Sequence, residues 1–92
     1  MTPPIRPKAR DDLAVVEIDG EAVVYDTERK RLHHLNPTAT MVFASLGGEA
    51  TVRELAGELS EAYGLPAASL EPQLRGLLRR FRSQGLLQPD AS

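Results

Sequence analysis

The sequence predicts an α+β domain, a three-stranded antiparallel sheet followed by a bundle of three helices. Three observations predict it. Runs rich in β-branched residues cluster over residues 13–35 and are interrupted by turn residues. After Asn36-Pro37 the apolar residues recur at helical spacing instead. Gly47-Gly48, Gly64 and Gly85 then punctuate that second half into three helical segments joined by short connections. A sheet this small cannot bury its own apolar face, so the helices must pack on it.

Residues 1–12 hold Pro3, Pro4 and Pro7 among alternating charges and have little to bury. They read as an extended, partly mobile arm, with order beginning near Leu13 and the folded domain spanning residues 13–88. Leu13-Ala14-Val15-Val16-Glu17-Ile18 and Glu21-Ala22-Val23-Val24-Tyr25 flank Asp19-Gly20, a turn that tolerates positive φ and matches strand twist. The turn sets the register, with Ile18 opposite Glu21, Val16 opposite Val23 and Ala14 opposite Tyr25. Val16, Ile18, Val23 and Tyr25 then share one face, the expected core face. The polar run 26–30 turns the chain into a third antiparallel strand, residues 31–35, whose facing the length of that loop leaves open.

Asn36 is a strong N-cap and Pro37 suits the first helical position. Ala39, Val42, Phe43 and Leu46 follow at helical spacing. Thr51-Val52-Arg53-Glu54 is a capping box, and Val52, Leu55, Ala56, Leu59 and Tyr63 form the apolar seam of the second helix. The third helix buries Leu70, Leu74, Leu77, Leu78 and Phe81. Its start is open. Ser69 as cap puts Pro72 in the first turn, whereas a start at Ala67 puts Pro72 inside the helix and predicts a kink.

Ninety-two residues, 41% of them hydrophobic, suffice for one modest core. The absence of cysteine excludes disulfides, thiol catalysis and cysteine-containing metal sites. No apolar run approaches the ~20 residues of a membrane span. The first residues lack the apolar stretch of a signal peptide, so a soluble, cytoplasmic chain is expected. A net charge of −2 argues against wholesale attraction to nucleic acid or anionic membrane, but the charge is uneven: −3 over residues 49–63 and +3 over residues 70–83.

A catalytic constellation is missing from the sequence. It contains no GxGxxG or P-loop glycine cradle, no HExxH and no GxSxG. His33 and His34, the only histidines, are strand neighbours that point to opposite faces, so they cannot share one metal ion. They read as edge-strand residues, one of them half-buried. Tyr25, Phe43, Tyr63 and Phe81 read mostly as core, leaving no aromatic platform for single-stranded nucleic acid. With neither cofactor nor metal site expected, the chain reads as a binding protein and not an enzyme.

Two surfaces remain once the core is assigned. A three-strand meander leaves its outer strands with unpaired backbone groups, a template for a strand from another chain, and an open edge also permits self-pairing into a dimer. Lys30 and Arg31 read more simply as solubilising charges that guard such an edge. On the third helix, Arg75, Arg79 and Arg82 form a stripe beside the apolar seam, adjoining Leu78. The stripe suits an acidic, partly apolar peptide. The plainer reading is a solvated face whose charges complement the helix dipole.

The run Val23-Val24-Tyr25-Asp26, the run Leu32-His33-His34-Leu35-Asn36-Pro37-Thr38-Ala39-Thr40 and the closing Gly85-Leu86-Leu87 resemble the PqqD family. These are small stand-alone peptide-binding proteins, or RiPP recognition elements, of ribosomal peptide natural-product pathways. The resemblance spans about residues 13–87, and the strand-end Leu-Asn-Pro-Thr-Ala opening a helix is its most specific part. It implies a winged-helix-like fold in which a precursor's leader peptide adds to the third strand, in a groove against the third helix. Carried onto this sequence, the implied peptide-binding residues are Arg31, Leu32, His33, His34 and Leu35 of the strand, with Arg75, Leu78, Arg79 and Arg82 of the helix. The backbone of Leu32 to His34 would pair with the peptide, Leu32 and Leu78 would receive its side chains, and the three arginines would meet its carboxylates. The implied partners are that leader and a peptide-modifying enzyme or leader protease, for which the acidic second helix (Glu54, Glu58, Glu61) offers one docking surface. Nucleic acid and membrane are not among the expected partners.

One departure is Pro72, where relatives have an unbroken helix start. The alternative reading is a winged-helix DNA-binding domain with the Arg-rich last helix in a major groove. Low net charge and the lack of Asn or Lys beside those arginines weigh against it.

Overall fold

The computed structural model describes residues 6–88. In chain order it contains β1 (Ala14–Ile18), β2 (Glu21–Asp26), β3 (Arg31–Leu35), α1 (Pro37–Ala44), α2 (Val52–Tyr63) and α3 (Ala67–Ser83). The strands form one antiparallel sheet in the order β1-β2-β3, so the expected sheet-then-helices architecture is the one adopted. Asp19 and Gly20 take φ of 54° and 80°, the pair of positive values that a tight hairpin turn matched to strand twist requires. The register follows: Ala14 pairs with Tyr25, Val16 with Val23 and Ile18 with Glu21. On the other side of β2, Ala22 pairs with Leu35, Val24 with His33 and Asp26 with Arg31.

The face turned to the helices is not the expected one. Ala22, Val24, Asp26 and Leu35 are buried, whereas Val16, Ile18, Tyr25 and Leu32 stand exposed on the outer face. Two local causes decide this. First, α1 approaches the sheet closely: the Ala22 N–H donates to Thr40 Oγ1 at 2.9 Å, and the Thr40 hydroxyl donates to the Leu35 carbonyl at 3.1 Å. A contact at that range favours a side chain as small as Ala22. Second, Asp26 at the end of β2 is buried yet satisfied, because Arg10 lies 2.9 Å from it. A carboxylate with a charged partner is compatible with an interior position that its polarity alone would deny it.

Asn36 caps α1 by accepting from the Ala39 N–H at 2.8 Å, with Pro37 at the first position. Thr51 and Glu54 complete the capping box of α2 in both directions, and Gly64 ends that helix at φ 67°. The longer of the two alternatives for α3 holds: it starts at Ala67, and Pro66 at the cap makes no side-chain bond. Pro72 therefore sits inside the helix and offers no N–H to the carbonyl of Ala68, a residue exposed to solvent. Phe43 and Phe81 pack edge to face, with centroids 5.6 Å apart, amid Leu55, Leu74 and Leu86. Tyr25 and Tyr63, read above with the core, are exposed.

The N-terminal segment also departs from expectation. Residues 1–5 lie outside the described residues, but from Pro7 onward the chain is tied down. Pro7 is buried, and Lys8 and Ala9 form isolated antiparallel bridges with Gly47 and Leu87. The Ala9 N–H donates to the Leu46 carbonyl, the Arg10 N–H to Leu86, and the Gln88 N–H to Lys8, at 2.8–3.1 Å. Order therefore begins before Leu13. Backbone pairing and one cation, which do not register as apolar content, hold this segment together with the buried Pro7 and the packed Ala9.

That cation is Arg10. It donates to Asp26, Glu28 and the Gly85 carbonyl at 2.9–3.1 Å, and it also pairs with Asp12. Burial alone would raise the Asp26 pKa. The hydrogen bond from Arg10 and those from the Arg29 and Glu28 N–H groups outweigh it and hold the carboxyl below its ordinary value. A folded pKa below the unfolded one stabilises the fold above the ordinary value of 3.8, and the contribution is lost as pH falls through the folded value. Asp12, through Arg10, and Glu54, through the Thr51 N–H, are lowered as well and add to the same slope. Circular-dichroism melts are expected to show a lower melting temperature in acid than at neutral pH. Asp26→Asn is expected to lower the neutral value and to flatten that acid dependence, and a variant that melts like wild type at both pH values would remove Asp26 from this role.

Candidate functional site

The structure divides the residues expected to bind a peptide between two places. The first is the free edge of β3. Among the described residues only β2 pairs with this strand, and the N-terminal segment pairs elsewhere, with Gly47 and Leu87. Pairing with β2 fixes the facing that the sequence left open. Leu32 and His34 lie on the outer face, opposite Tyr25 and Val23, and Arg31, His33 and Leu35 lie on the inner face, opposite Asp26, Val24 and Ala22. Leu32 is 70% exposed at this edge. Leu35 is a core side chain, 4% exposed, and its carbonyl accepts from the Thr40 hydroxyl, so it offers an incoming peptide little. His34 Nε2 lies 3.4 Å from Glu21 Oε1. His33 is half-buried, and its Nε2 and Gln84 Oε1 are buried side-chain atoms without a hydrogen-bond partner among the described residues.

The second place is a groove of about 580 Å³ on α3. Arg75, Leu78, Arg79 and Arg82 line it together, as the helical spacing predicts. The facing wall was not predicted: Thr51, Val52 and Arg53 at the start of α2, with Pro7 of the N-terminal segment. Arg53 is the one base in the acidic stretch 49–63, and that isolated charge was the available sequence signal. Glu71 is the sole acid in the lining and accepts from Arg75 at 2.8 Å. Leu78 is 6% exposed, so it shows the groove an edge and otherwise serves the core.

No residue of β3 lines this groove. The geometry of α3 explains the separation. At ~100° per residue, Arg75, Arg79 and Arg82 fall on one flank, and Gln73, Leu77, Arg80 and Gln84 fall on the other. The stripe lines its groove with Thr51, Val52 and Arg53 at the start of α2 and with Pro7. Arg82 also lines a second, mixed-charge cleft beside Arg29 and Glu28 of the β2–β3 connection, Arg10, Asp12, Gly85 and Gln88.

Among the described residues no group of His, Asp and Glu is arranged to hold a metal ion, and no helix is long and apolar enough to cross a membrane.

The family model described as coenzyme PQQ synthesis protein D (PqqD) matches residues 21–87. Two solved structures share the fold. TbiB1 in complex with the TbiA(beta) leader peptide superposes with a TM-score of 0.77 at 21% identity, over 89% of this chain and 95% of that one. Lasso peptide synthetase B1 complexed with the leader peptide gives a TM-score of 0.75 at 20% identity, over 91% and 99%. None of the curated proteins matches the chain.

Gly85 holds the junction between the two surfaces. It sits at φ 74°, and a Cβ there would collide with the Arg29 guanidinium. Gly20 has a similar φ of 80° but open space around it. Gly20→Ala is therefore expected to cost only the left-handed backbone strain, about 1 kcal/mol. Gly85→Ala adds displacement of Arg29 and is expected to cost more, roughly 2 kcal/mol. Urea denaturation of the pair checks the difference, and equal losses would show that Arg29 moves freely.

Proposed function

We propose that this chain, which belongs to the PqqD family, takes up the leader segment of a ribosomally made precursor peptide as a fourth strand on β3 and presents it to a peptide-modifying enzyme or leader protease. One observation carries the reading: among the described residues β3 pairs with β2 alone, so its outer edge has no strand partner, and the described N-terminal segment pairs with Gly47 and Leu87 instead. Two proteins of the same fold are complexes with leader peptides, which supports placing a leader here.

The two sheet edges are not equivalent as hosts. Every residue of β1 is exposed, so a guest there gains backbone bonds and the open side chains of Val15, Val16 and Ile18 but no wall of the domain. β3 has Leu35 in the core and His33 half-buried on its inner face, so a guest beside it also meets the flank of the domain. Side chains of an added strand alternate between faces. One set emerges beside Leu32 and His34, and the other turns inward beside His33. Leu32 and Leu78 therefore do not receive the same guest residue.

Strand pairing supplies affinity that is blind to sequence, and the alternating side-chain contacts supply selection. A leader disordered before binding costs ~2–5 kcal/mol to order. Once bound, it holds the attached core peptide at high effective concentration for a catalyst that binds the same complex. The DNA-binding alternative draws no support from α3, whose basic stripe forms one wall of a groove against α2 and Pro7 instead of standing free to enter a major groove.

Neighbouring residues of a strand direct their N–H groups to opposite edges, so one of Leu32→Pro and His33→Pro removes an outward donor while the other removes a donor to β2. The variant that keeps its melting temperature is the one altered at the free edge. That variant is expected to bind a fluorescent leader, taken from a short reading frame beside the gene, at least roughly tenfold more weakly in an anisotropy titration. Undiminished binding by it would rule out strand addition at β3.

A further inference from the structure

We propose that the arginine groove between α2 and α3 is a second peptide-contacting site, separate from the β3 edge, that takes a carboxylate-rich segment adjoining the strand-forming part of the guest. The identity of the guest rests on the strand-addition reading; the chemistry of the groove does not. Four guanidinium groups, from Arg53, Arg75, Arg79 and Arg82, line one concave surface with a single acid, Glu71. Glu71 engages Arg75. No carboxylate among the described residues lies in ion-pair range of Arg53, Arg79 or Arg82. Like charges gathered on one concavity repel one another, and an anionic occupant relieves that repulsion.

Guanidinium forks match carboxylates in geometry as well as charge, and they are less strongly hydrated than ammonium groups. Pro7, Val52 and the edge of Leu78 supply apolar surface between the charges. Together these features describe a seat for a peptide bearing Asp or Glu among apolar residues.

The groove is continuous with the strand edge along one route. Arg31 opens β3, and Arg29 lies just before it in the β2–β3 connection. Arg29 and Arg82 line the same cleft, and Arg82 also lines the groove. A guest leaving β3 beside Arg31 therefore meets Arg29, in a cleft whose two acids, Asp12 and Glu28, are engaged by Arg10, then Arg82, then Arg79 and Arg75. Whichever terminus of the guest strand leaves at that end is the one whose continuation carries the acids. Strand pairing and charge pairing thus read adjacent parts of one peptide on two surfaces joined by Arg82.

Two measurements on the full chain test this. In the first, 15N-labelled protein is titrated with hexaglutamate, hexaglutamine or a short DNA duplex. Hexaglutamate is expected to shift the amides of Thr51 to Arg53 and of residues 75–82 saturably, leaving Leu32 to His34 unmoved. Hexaglutamine is expected to shift neither set, and Arg75→Glu with Arg79→Glu to weaken the hexaglutamate response at least roughly tenfold. Absence of a saturable response, shifts scattered over every basic surface, or a stronger response of the groove to duplex DNA would overturn the proposal. Strand addition would stand in each case, because the β3 amides report on it separately.

In the second, the leader used for the edge variants carries three glutamates or three glutamines beyond the terminus that leaves beside Arg31. The glutamate version is expected to bind about tenfold more tightly, through raised effective concentration at the groove, with the gain abolished by the double charge reversal. Equal affinities, or a gain that survives the reversal, would detach the groove from the guest.

Discussion

A buried carboxylate with its cation holds this small fold in register. Asp26 lies fully inside at the end of β2, and the Arg10 guanidinium meets it from a segment that the strands and helices do not contain. The same guanidinium reaches the Gly85 carbonyl just past α3 and Glu28 in the β2–β3 connection. One side chain therefore ties the N-terminal segment, the sheet and the last helix to a common point. The consequence for β1 is direct. That strand is exposed along its whole length and among the described residues pairs with β2 alone, and an isolated two-stranded hairpin is at best marginal in water. Anchoring Arg10 only a few residues before Ala14 restricts where β1 can go, which limits the entropy its detachment would gain.

The hairpin shows what a sequence carries about a fold and what it does not. Asp19-Gly20 determines a turn, the turn determines a register, and the register was legible to the residue. The face was not. Counting large apolar side chains favours Val16, Ile18, Val23 and Tyr25, yet the buried face holds Ala22, Val24 and Asp26. The deciding facts are tertiary: Thr40 of α1 bonds the Ala22 N–H, and Arg10, sixteen residues before Asp26, neutralises it. Neither contact leaves a local periodicity. The start of α3 was a balance of local signals, and Ser69 as a cap lost to a first turn closed by the Pro66 carbonyl, which accepts from Ser69 and Leu70.

The candidate surfaces divide in the same way. The stripe on α3 was legible because helical spacing alone places Arg75, Arg79 and Arg82 together. Its opposing wall comes from α2 and Pro7, so its partners depend on how two helices and a docked segment pack. The β3 edge was legible from strand order, since the last strand of a meander is an edge unless something returns to cover it. Joining the two into one cleft rests on the family resemblance, since neither spacing nor strand order supplies it. Leu35 illustrates the limit for single residues. It belongs to the edge by sequence position and to the core by side chain, and strand alternation makes both true at once.

The outer face of the sheet completes the physical picture of a host. Val16, Ile18, Tyr25 and Leu32 stand on it with nothing above them among the described residues, Leu32 at the very edge. A three-stranded sheet with one apolar face in water is prone to pairing with whatever strand arrives. The two outer strands limit that differently. β1 carries Glu17 along its length, exposed like every residue of the strand, so no wall adds to what its backbone offers. β3 opens with Arg31 beside Lys30 and Arg29, charges that discourage a second basic edge and leave an acidic segment as the favoured neighbour. On the proposed strand addition, the residues that guard the edge against its own kind would be the ones that bias it toward an anionic guest. Solubility and selectivity, which the sequence presents as rival explanations of those charges, would then be one electrostatic property seen from two partners.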